Sequence, residues 1–452
     1  MVCEHSTTTE TLWQTSVEAA GTYRERLRQF LAPVLVKLDE RLDKRLVCTF
    51  ADTIEALIRF RDRTRGLLLS ELGAQLLSPE HAPAGTKRLS NLLRSWRWSA
   101  ELLEQFLWRR ADWRLRTLER QGQDALAVWD ESELEKAESL KGEGLCAVRS
   151  RKAARLKHIK PGYYNPPGGR PVFVPGLHWL GVLLLGWQGP PTLAAMRWWT
   201  TRGTRASDRR TEEFILLRQC AHAWGPRVLH VWDRGFAGNP WLSLVLDYHL
   251  RFVLRWPKRY HLVDAQGQER PAWQIARGKR TWASYDFWDI HRQQWRKTGV
   301  LAIPVKHPEH PRQLWLVISR PGQGRPPWYL LTSEPILFSD DAWHMILAYS
   351  RRWQIEMTWR YSKSELAMES PRLWFWDNRT KLLLMVSLAY AFLLSLLDPL
   401  LNAPRDWLLR HWCHRTGKRS QITLAPLYRL RSALSALWLA HPAQSPLYES
   451  SG

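Results

Sequence analysis

Residues 349–363 read Tyr349-Ser-Arg-Arg352-Trp-Gln-Ile-Glu356-Met-Thr-Trp-Arg360-Tyr-Ser-Lys363. Wound as one helix at about 100° per residue, Tyr349, Arg352, Glu356 and Lys363 share a stripe about 60° wide. A phenol, two cations and a carboxylate along one stripe suit a site in which a carboxylate holds metal and cations grip phosphate. The plainer reading is a solvated helix face with an Arg352–Glu356 pair one turn apart.

Two further stretches bear on the choice. Residues 124–130 read Asp-Ala-Leu-Ala-Val-Trp-Asp130, and residues 227–233 read Arg-Val-Leu-His-Val-Trp-Asp233. Each is a short apolar run that reads as a buried strand of a parallel or mixed sheet. An aspartate closing such a strand has left the core and faces a site. Each aspartate alone also reads as a turn or cap residue. Together with Glu356 they have a shared use. Two divalent ions about 4 Å apart activate an attacking oxygen and stabilise a leaving one, and carboxylates hold them. Mg²⁺ takes oxygen ligands and keeps several waters, so three carboxylates plus a substrate phosphate suffice.

These residues resemble the DDE transposases of bacterial insertion sequences, in the subgroup with a Tyr-x2-Arg-x3-Glu-x6-Lys signature. Tyr349, Arg352, Glu356 and Lys363 match it position for position. Asp130 with Ser132 is similar to the family's first Asp-x-Ser/Thr motif, and Asp233-Arg234-Gly-Phe to its second. Trp328-Tyr-Leu-Leu-Thr-Ser-Glu-Pro resembles the strand that precedes the last acid, and the likeness spans residues 85–400. It implies an α/β fold: a ribonuclease-H-like core interrupted by a β-rich insertion, with helical N-terminal and C-terminal regions. It implies two Mg²⁺ or Mn²⁺ ions on Asp130, Asp233 and Glu356. Tyr349, Arg352, Lys363 and Arg360 would contact DNA, and Trp328 would stack on a base turned out of the duplex. The partners implied are double-stranded DNA, as terminal inverted repeats and as target, and a second copy of the chain in a synaptic dimer.

Composition agrees with a polyanionic partner. The 452 residues hold 66 Lys+Arg against 43 Asp+Glu, a formal charge of +23. Charge alone also admits RNA or an anionic membrane. Its distribution is sharper: residues 251–328 carry 15 Lys+Arg and 5 acids, with Trp256, Trp273, Trp282, Trp288, Trp295 and Trp315 among them. Cations interleaved with aromatics grip phosphates and stack on bases. A Trp-rich β core with a basic rim reads equally from these letters. The five cysteines, Cys3, Cys48, Cys146, Cys220 and Cys413, form no Cys-x-x-Cys pair. That fits a reduced cytoplasmic protein, and the resemblance implies a bacterial, nucleoid-associated one. His411-Trp-Cys413-His414 reads as a chance cluster rather than a metal site. The N-terminus has no signal pattern. The apolar run Leu382–Leu397 is short for a membrane span and ends at Asp398-Pro399, so it reads as a buried helix.

The chain divides on this reading into a helical DNA-binding region (1–120), a first core part (121–249), a β-rich insertion (250–334), a second core part (335–401) and a helical tail (402–452), a candidate dimerisation element. Within the first region Ile54–Leu69 has helical spacing, Ala82-Pro-Ala-Gly-Thr reads as a loop, and Ser90 reads as the N-cap of a basic helix. No turn signature marks a helix-turn-helix. The first core part reads as three strands, at Asp130, Gly144–Val148 and Val172–Val174, then a helix, the Asp233 strand and a second helix. Asn165-Pro-Pro-Gly-Gly signals a turn. No phosphate-binding Gly-x4-Gly-Lys-Ser/Thr, Gly-x-Ser-x-Gly or His-Glu-x-x-His occurs. Two other functions stay open on these letters: a structure-selective nuclease on the same fold, and a non-catalytic DNA-binding repressor derived from a transposase.

Overall fold

The computed structural model describes residues 15–136, 142–150, 172–289, 294–322, 325–413 and 427–443. Cys3, His414 and the Asn165-Pro-Pro-Gly-Gly turn lie outside them. Five helices come first: α1 (Ser16–Asp39), α2 (Lys44–Arg59), α3 (Leu69–Leu76), α4 (Ala82–Arg94) and α5 (Ala100–Arg120). Thr15 and Glu18 close a reciprocal capping box on α1. Three local expectations fail here. The helical spacing of Ile54–Leu69 does not make one helix, because Asp62 Oδ1 takes the amides of Thr64 and Arg65 and turns the chain. Ala82-Pro-Ala-Gly-Thr is the first turn of α4, where proline is tolerated because its missing N–H has no intrahelical partner. Ser90 therefore sits inside α4, not at its cap.

The sheet begins with β1 (Ala125–Glu135), β2 (Cys146–Arg149), β3 (Phe173–Leu185) and β4 (Thr192–Trp199). After α6 (Arg209–Ala223) come β5 (Val228–Trp232), α7 (Asn239–Asp247) and β6 (Arg251–Arg255). Four strands precede α6 where the sequence suggested three. The unexpected one, β4, reads Thr-Leu-Ala-Ala-Met-Arg-Trp-Trp, and its alanines and methionine carry little strand preference. β3 is antiparallel to β1 and β4 to β3, while β5 is parallel to β1 and β6 to β5. Thus β6, which the sequence put in the inserted segment, extends the parallel ladder.

The chain continues through β7 (His261–Val263), β8 (Glu269–Pro271), α8 (Ala272–Ala276), β9 (Ala283–Asp289), β10 (Gln294–His307), β11 (His310–Arg320) and β12 (Trp328–Thr332). These strands prolong the same sheet. β12 pairs antiparallel with β6, and the order runs β2-β3-β1-β5-β6-β12-β11-β10-β7-β8, with β4 on β3 and β9 on β10. Helices α9 (Ser339–Ser350), α10 (Trp353–Ser364), α11 (Trp376–Ser395), α12 (Asn402–Trp412) and α13 (Leu427–Ala440) follow. The fold is mixed α/β around one large sheet.

Strand alternation feeds two cores. On β1, Leu126 and Val128 face a layer built by α1, α2, α9, α10 and α11. Ala125, Ala127 and Trp129 face a second layer with α6 and α7. Leu382–Leu394 is buried throughout in α11, among α2, α4, α5 and β4. Among the described residues no single helix is long and apolar enough to cross a membrane.

Candidate active site

Asp130 lies within β1 rather than at its end. The parallel ladder to β5 stops at Val128, whereas the antiparallel ladder to β3 runs on to Glu135 and pairs Asp130 with Gly181. Past Val128, β1 has lost its neighbour on the β5 side, and Asp130 lies at that opening. Asp233 is the first residue after β5, and its Oδ1 accepts the Gly235 amide at 2.7 Å.

The stretch 349–363 is not one helix. Tyr349 closes α9, Arg352 sits in the joint, and Glu356 and Lys363 belong to α10. At the joint Arg352 N bonds back to Tyr349 O, and Gln354 N to Arg351 O, a tighter three-residue spacing. The Ser350 hydroxyl takes the Leu347 carbonyl, and the Arg351 guanidinium reaches the Gly186 and Gly189 carbonyls. Side-chain bonds of this kind divert the backbone from its ladder.

The joint aims Arg352 between two acids. Its guanidinium hydrogen-bonds Glu356 and lies 3.8 Å from Asp130 Oδ1. Asp130 Oδ2 accepts the Trp359 indole N–H at 2.9 Å. Lys363 Nζ donates to Ser132 Oγ at 2.8 Å, joining α10 to β1 a second time. Tyr349 is buried, with its ring edge-on to Trp328 at 5.1 Å and its hydroxyl unpartnered. Arg360 is exposed on α10.

Burial, helped by the charges of Asp233 and Glu356, pushes the Asp130 carboxyl up to about 6 against the opposing pull of Arg352. Asp130 therefore feels the charges of both other acids. Among the described residues no group of three His, Cys, Asp or Glu side chains is arranged to hold a metal ion. The cation that Asp130 and Glu356 share is Arg352.

Several supporting residues were not read from the sequence. Trp359 packs on Trp179 at 4.2 Å between ring centroids, and a Cβ at Gly181 would fall 2.4 Å from its ring. Gly181 thus makes the room that brings the indole to Asp130; a glycine inside an apolar strand is the one signal that marked the spot. Arg209 bonds Glu131 of β1 at 2.7 Å, Glu213 of α6 at 2.8 Å and the Gly235 carbonyl at 3.3 Å, tying the two aspartate-bearing segments together. Below them Trp129 donates to His230 Nδ1, and His230 stacks flat on Trp232. Burial lowers His230 to about 3, so the ring is neutral.

Beside Asp233 opens a cleft of about 620 Å³ lined by Arg234, Arg255, Lys258, Arg259, Trp273 and Tyr329. Of the six tryptophans singled out in this region, Trp256 is buried and Trp315 half-buried. Trp273, Trp282, Trp288 and Trp295 are exposed.

Residues 200–392 match the family described as Transposase DDE domain. That stretch, somewhat under half of the chain, is similar to a DDE transposase domain. The matched stretch contains Asp233, Glu356 and the whole 349–363 segment; Asp130 precedes it. Among solved structures, the chain is similar to a piggyBac transposase synaptic complex with hairpin DNA. Identity is 13%, the TM-score is 0.40, and the match covers 89% of this chain and 74% of that one. No curated protein matches the chain.

Proposed function

We propose that Asp130, Asp233 and Glu356 are the catalytic carboxylates of this transposase. On this reading it cuts the terminal inverted repeats of a bacterial insertion sequence and joins them to target DNA. The observation that carries the reading is the convergence of Asp130 and Glu356 on Arg352, with Asp233 close enough for its charge to act on Asp130. The strand pattern supports it: β1, β3 and β4 antiparallel, then β5 and β6 parallel to β1, is the arrangement of a ribonuclease-H-like core. That core takes in residues 121–249, plus β6, and 335–401, with most of 250–334 inserted between them. The N-terminal helices serve as the DNA-binding region.

By donor chemistry the acids suit a hard divalent cation, once Arg352 leaves the place between Asp130 and Glu356. They offer only oxygen donors, and the like charges that raise Asp130 are the kind a cation relieves. Two Mg²⁺ or Mn²⁺ ions there would supply activation of the attacking oxygen and stabilisation of the leaving 3′ oxygen. With ions bound, Arg352 would turn from the carboxylates towards a phosphate, which its planar fork favours. Lys363, held at Ser132, and Arg360 grip the strand nearby. Tyr349 backs Arg352, with the guanidinium carbon 5.8 Å from its ring centre. Two copies bring two ends together.

Asp130→Ala, Asp233→Ala and Glu356→Ala are each expected to abolish cleavage of end DNA and leave binding near normal, because most affinity comes from phosphates elsewhere. Cleavage retained in all three, with Mg²⁺ present, overturns the assignment. In family members that seal each cut end as a hairpin, a tryptophan in this setting stacks on a turned-out base; on that route Trp328→Ala is expected, in the same assay, to keep the first nick and accumulate unsealed ends. Full sealing by that variant removes the stacking role. The mass of the protein–DNA complex, read by light scattering, tests the dimer.

A further inference from the structure

Helices α3 and α4 meet backbone to backbone. A Cβ at Gly85 would lie 2.1 Å from the Gly73 carbonyl oxygen, and one at Gly73 would lie 2.4 Å from the Thr86 nitrogen. The Thr86 hydroxyl adds a bond to the Leu69 carbonyl at 3.1 Å. A short turn over residues 77–81 joins an 8-residue helix to a 13-residue one. The pair is two closely packed helices joined by a short turn, which the sequence did not announce.

α4 buries Gly85, Leu89, Leu92 and Leu93. Lys87, Arg88, Asn91 and Arg94 occupy the opposite face, within about 120°, and all are exposed. Arg97 and Trp96 follow, and Trp96 is 88% exposed. From Ala82 to Ser99 the chain has four cations and no acid. Among the described residues, the side chains of Lys87, Arg88, Arg94 and Arg97 have no ion pair and no hydrogen bond. A surface made only for solubility mixes both signs.

The helix is also held rigidly to the rest of the molecule. Buried Lys381 of α11 donates to the Leu93 and Ser95 carbonyls at 3.0 and 2.7 Å, and its ammonium lies 4.7 Å from the centre of the Trp98 ring. The end of α4 is thereby fixed against the helix that follows the catalytic segment.

We propose that α4 is the base-reading helix of the protein and enters the major groove of duplex DNA at the transposon end. A groove of that width admits one helix; Asn pairs with adenine and Arg with guanine through two hydrogen bonds each. Asn91 and Arg88 face the bases, Lys87 and Arg94 the strands beside them, and Arg97 with Trp96 the flanking backbone. The assignment rests on the transposase reading and names the surface that recognises its substrate.

Selection from a randomised duplex library, with the full chain and no divalent cation, tests it. Wild type is expected to enrich one motif. Asn91→Ala and Arg88→Ala are expected to lose or alter preference at one or two positions. Each should weaken binding to the motif about tenfold or more while holding an unrelated duplex within about twofold of wild type. The side chains are exposed, so the melting temperature should not move. The same motif at the same affinity in both variants overturns the role of α4. Wild type binding every duplex equally also overturns it and leaves the transposase assignment standing. Failure of wild type to bind any duplex defeats both.

Discussion

The indole of Trp359 fixes one oxygen of Asp130 and leaves the other towards Arg352. A carboxylate that must meet a metal in one rotamer gains from such a bond, because ligand orientation is set by outer partners. Trp359→Phe removes the donor and keeps the ring; Gly181→Ala pushes the ring away. Both variants are expected to need about tenfold more Mn²⁺ for half-maximal cleavage, at the low end of what outer partners contribute. The double variant should do better than the sum of the two, since phenylalanine makes room for the new methyl. An unchanged Mn²⁺ requirement in Trp359→Phe would show the bond to be packing alone. Asp130 itself is under electrostatic load. Its carboxyl is pushed up from the ordinary 3.8 to about 6, so the folded protein binds that proton more tightly than the unfolded chain. Stability from this group therefore falls as pH rises from about 4 to 6, and the ionised acid remains a cost above that window. At about 1.4 kcal/mol per unit the cost is at most about 3 kcal/mol. Asp130→Asn should raise the urea midpoint at pH 7.5 without divalent ions and bring no gain at pH 4. Mg²⁺ should then stabilise wild type and not the variant. Equal midpoints at pH 7.5 would mean that Asp130 carries no such load.

At the scale of elements, strands β1 and β5 were legible because consecutive apolar and β-branched letters bury both faces of a strand. The two aspartates stood out because they interrupt those runs. The extent of β1 was not legible: its outer half reads Glu-Ser-Glu-Leu-Glu, and only the partner strand β3 makes it a strand. The joint between α9 and α10 was hidden for a related reason. Ser350-Arg-Arg-Trp353 contains no proline or glycine to announce a break, and the break comes from where the two arginines bond. Tyr349, Arg352, Glu356 and Lys363 still converge on β1 and β12, since both joint residues keep right-handed helical dihedrals. Proline and glycine misled in α4, where Pro83 begins a helix and Gly85 admits its neighbour. Trp359 and Asp130 are 229 positions apart, a contact no local pattern encodes.

At the scale of the whole molecule, the C-terminal segment is part of the body of the protein. Leu430, Ala433, Leu434, Leu437 and Trp438 of α13 have no exposed surface. Arg431, also buried, donates to the carbonyls of Leu57 at 2.7 Å, Ile58 at 3.0 Å and Phe60 at 2.7 Å, and to that of Glu365. Ser435 takes the Arg59 carbonyl at 2.6 Å. The last carbonyls of any helix lack intrahelical partners, and here α13 satisfies those of α2. The same guanidinium reaches the residue that ends α10, so one side chain joins the N-terminal helices, the C-terminal helix and the element carrying Glu356. Arg431→Met fills a similar volume but orphans four carbonyls, two of them in fully buried bonds, and each buried one is worth about 1–3 kcal/mol. The expected loss is at least ~3 kcal/mol, read as a lower urea midpoint. Deleting residues 427–452 should be worse, leaving a chain that does not fold cooperatively. A segment serving only dimerisation behaves otherwise: its deletion leaves a stable monomer with normal unfolding and lost synapsis. A truncated chain that melts like wild type would separate α13 from the core. One that fails to fold makes the C-terminal helix the brace holding the N-terminal helices against α10.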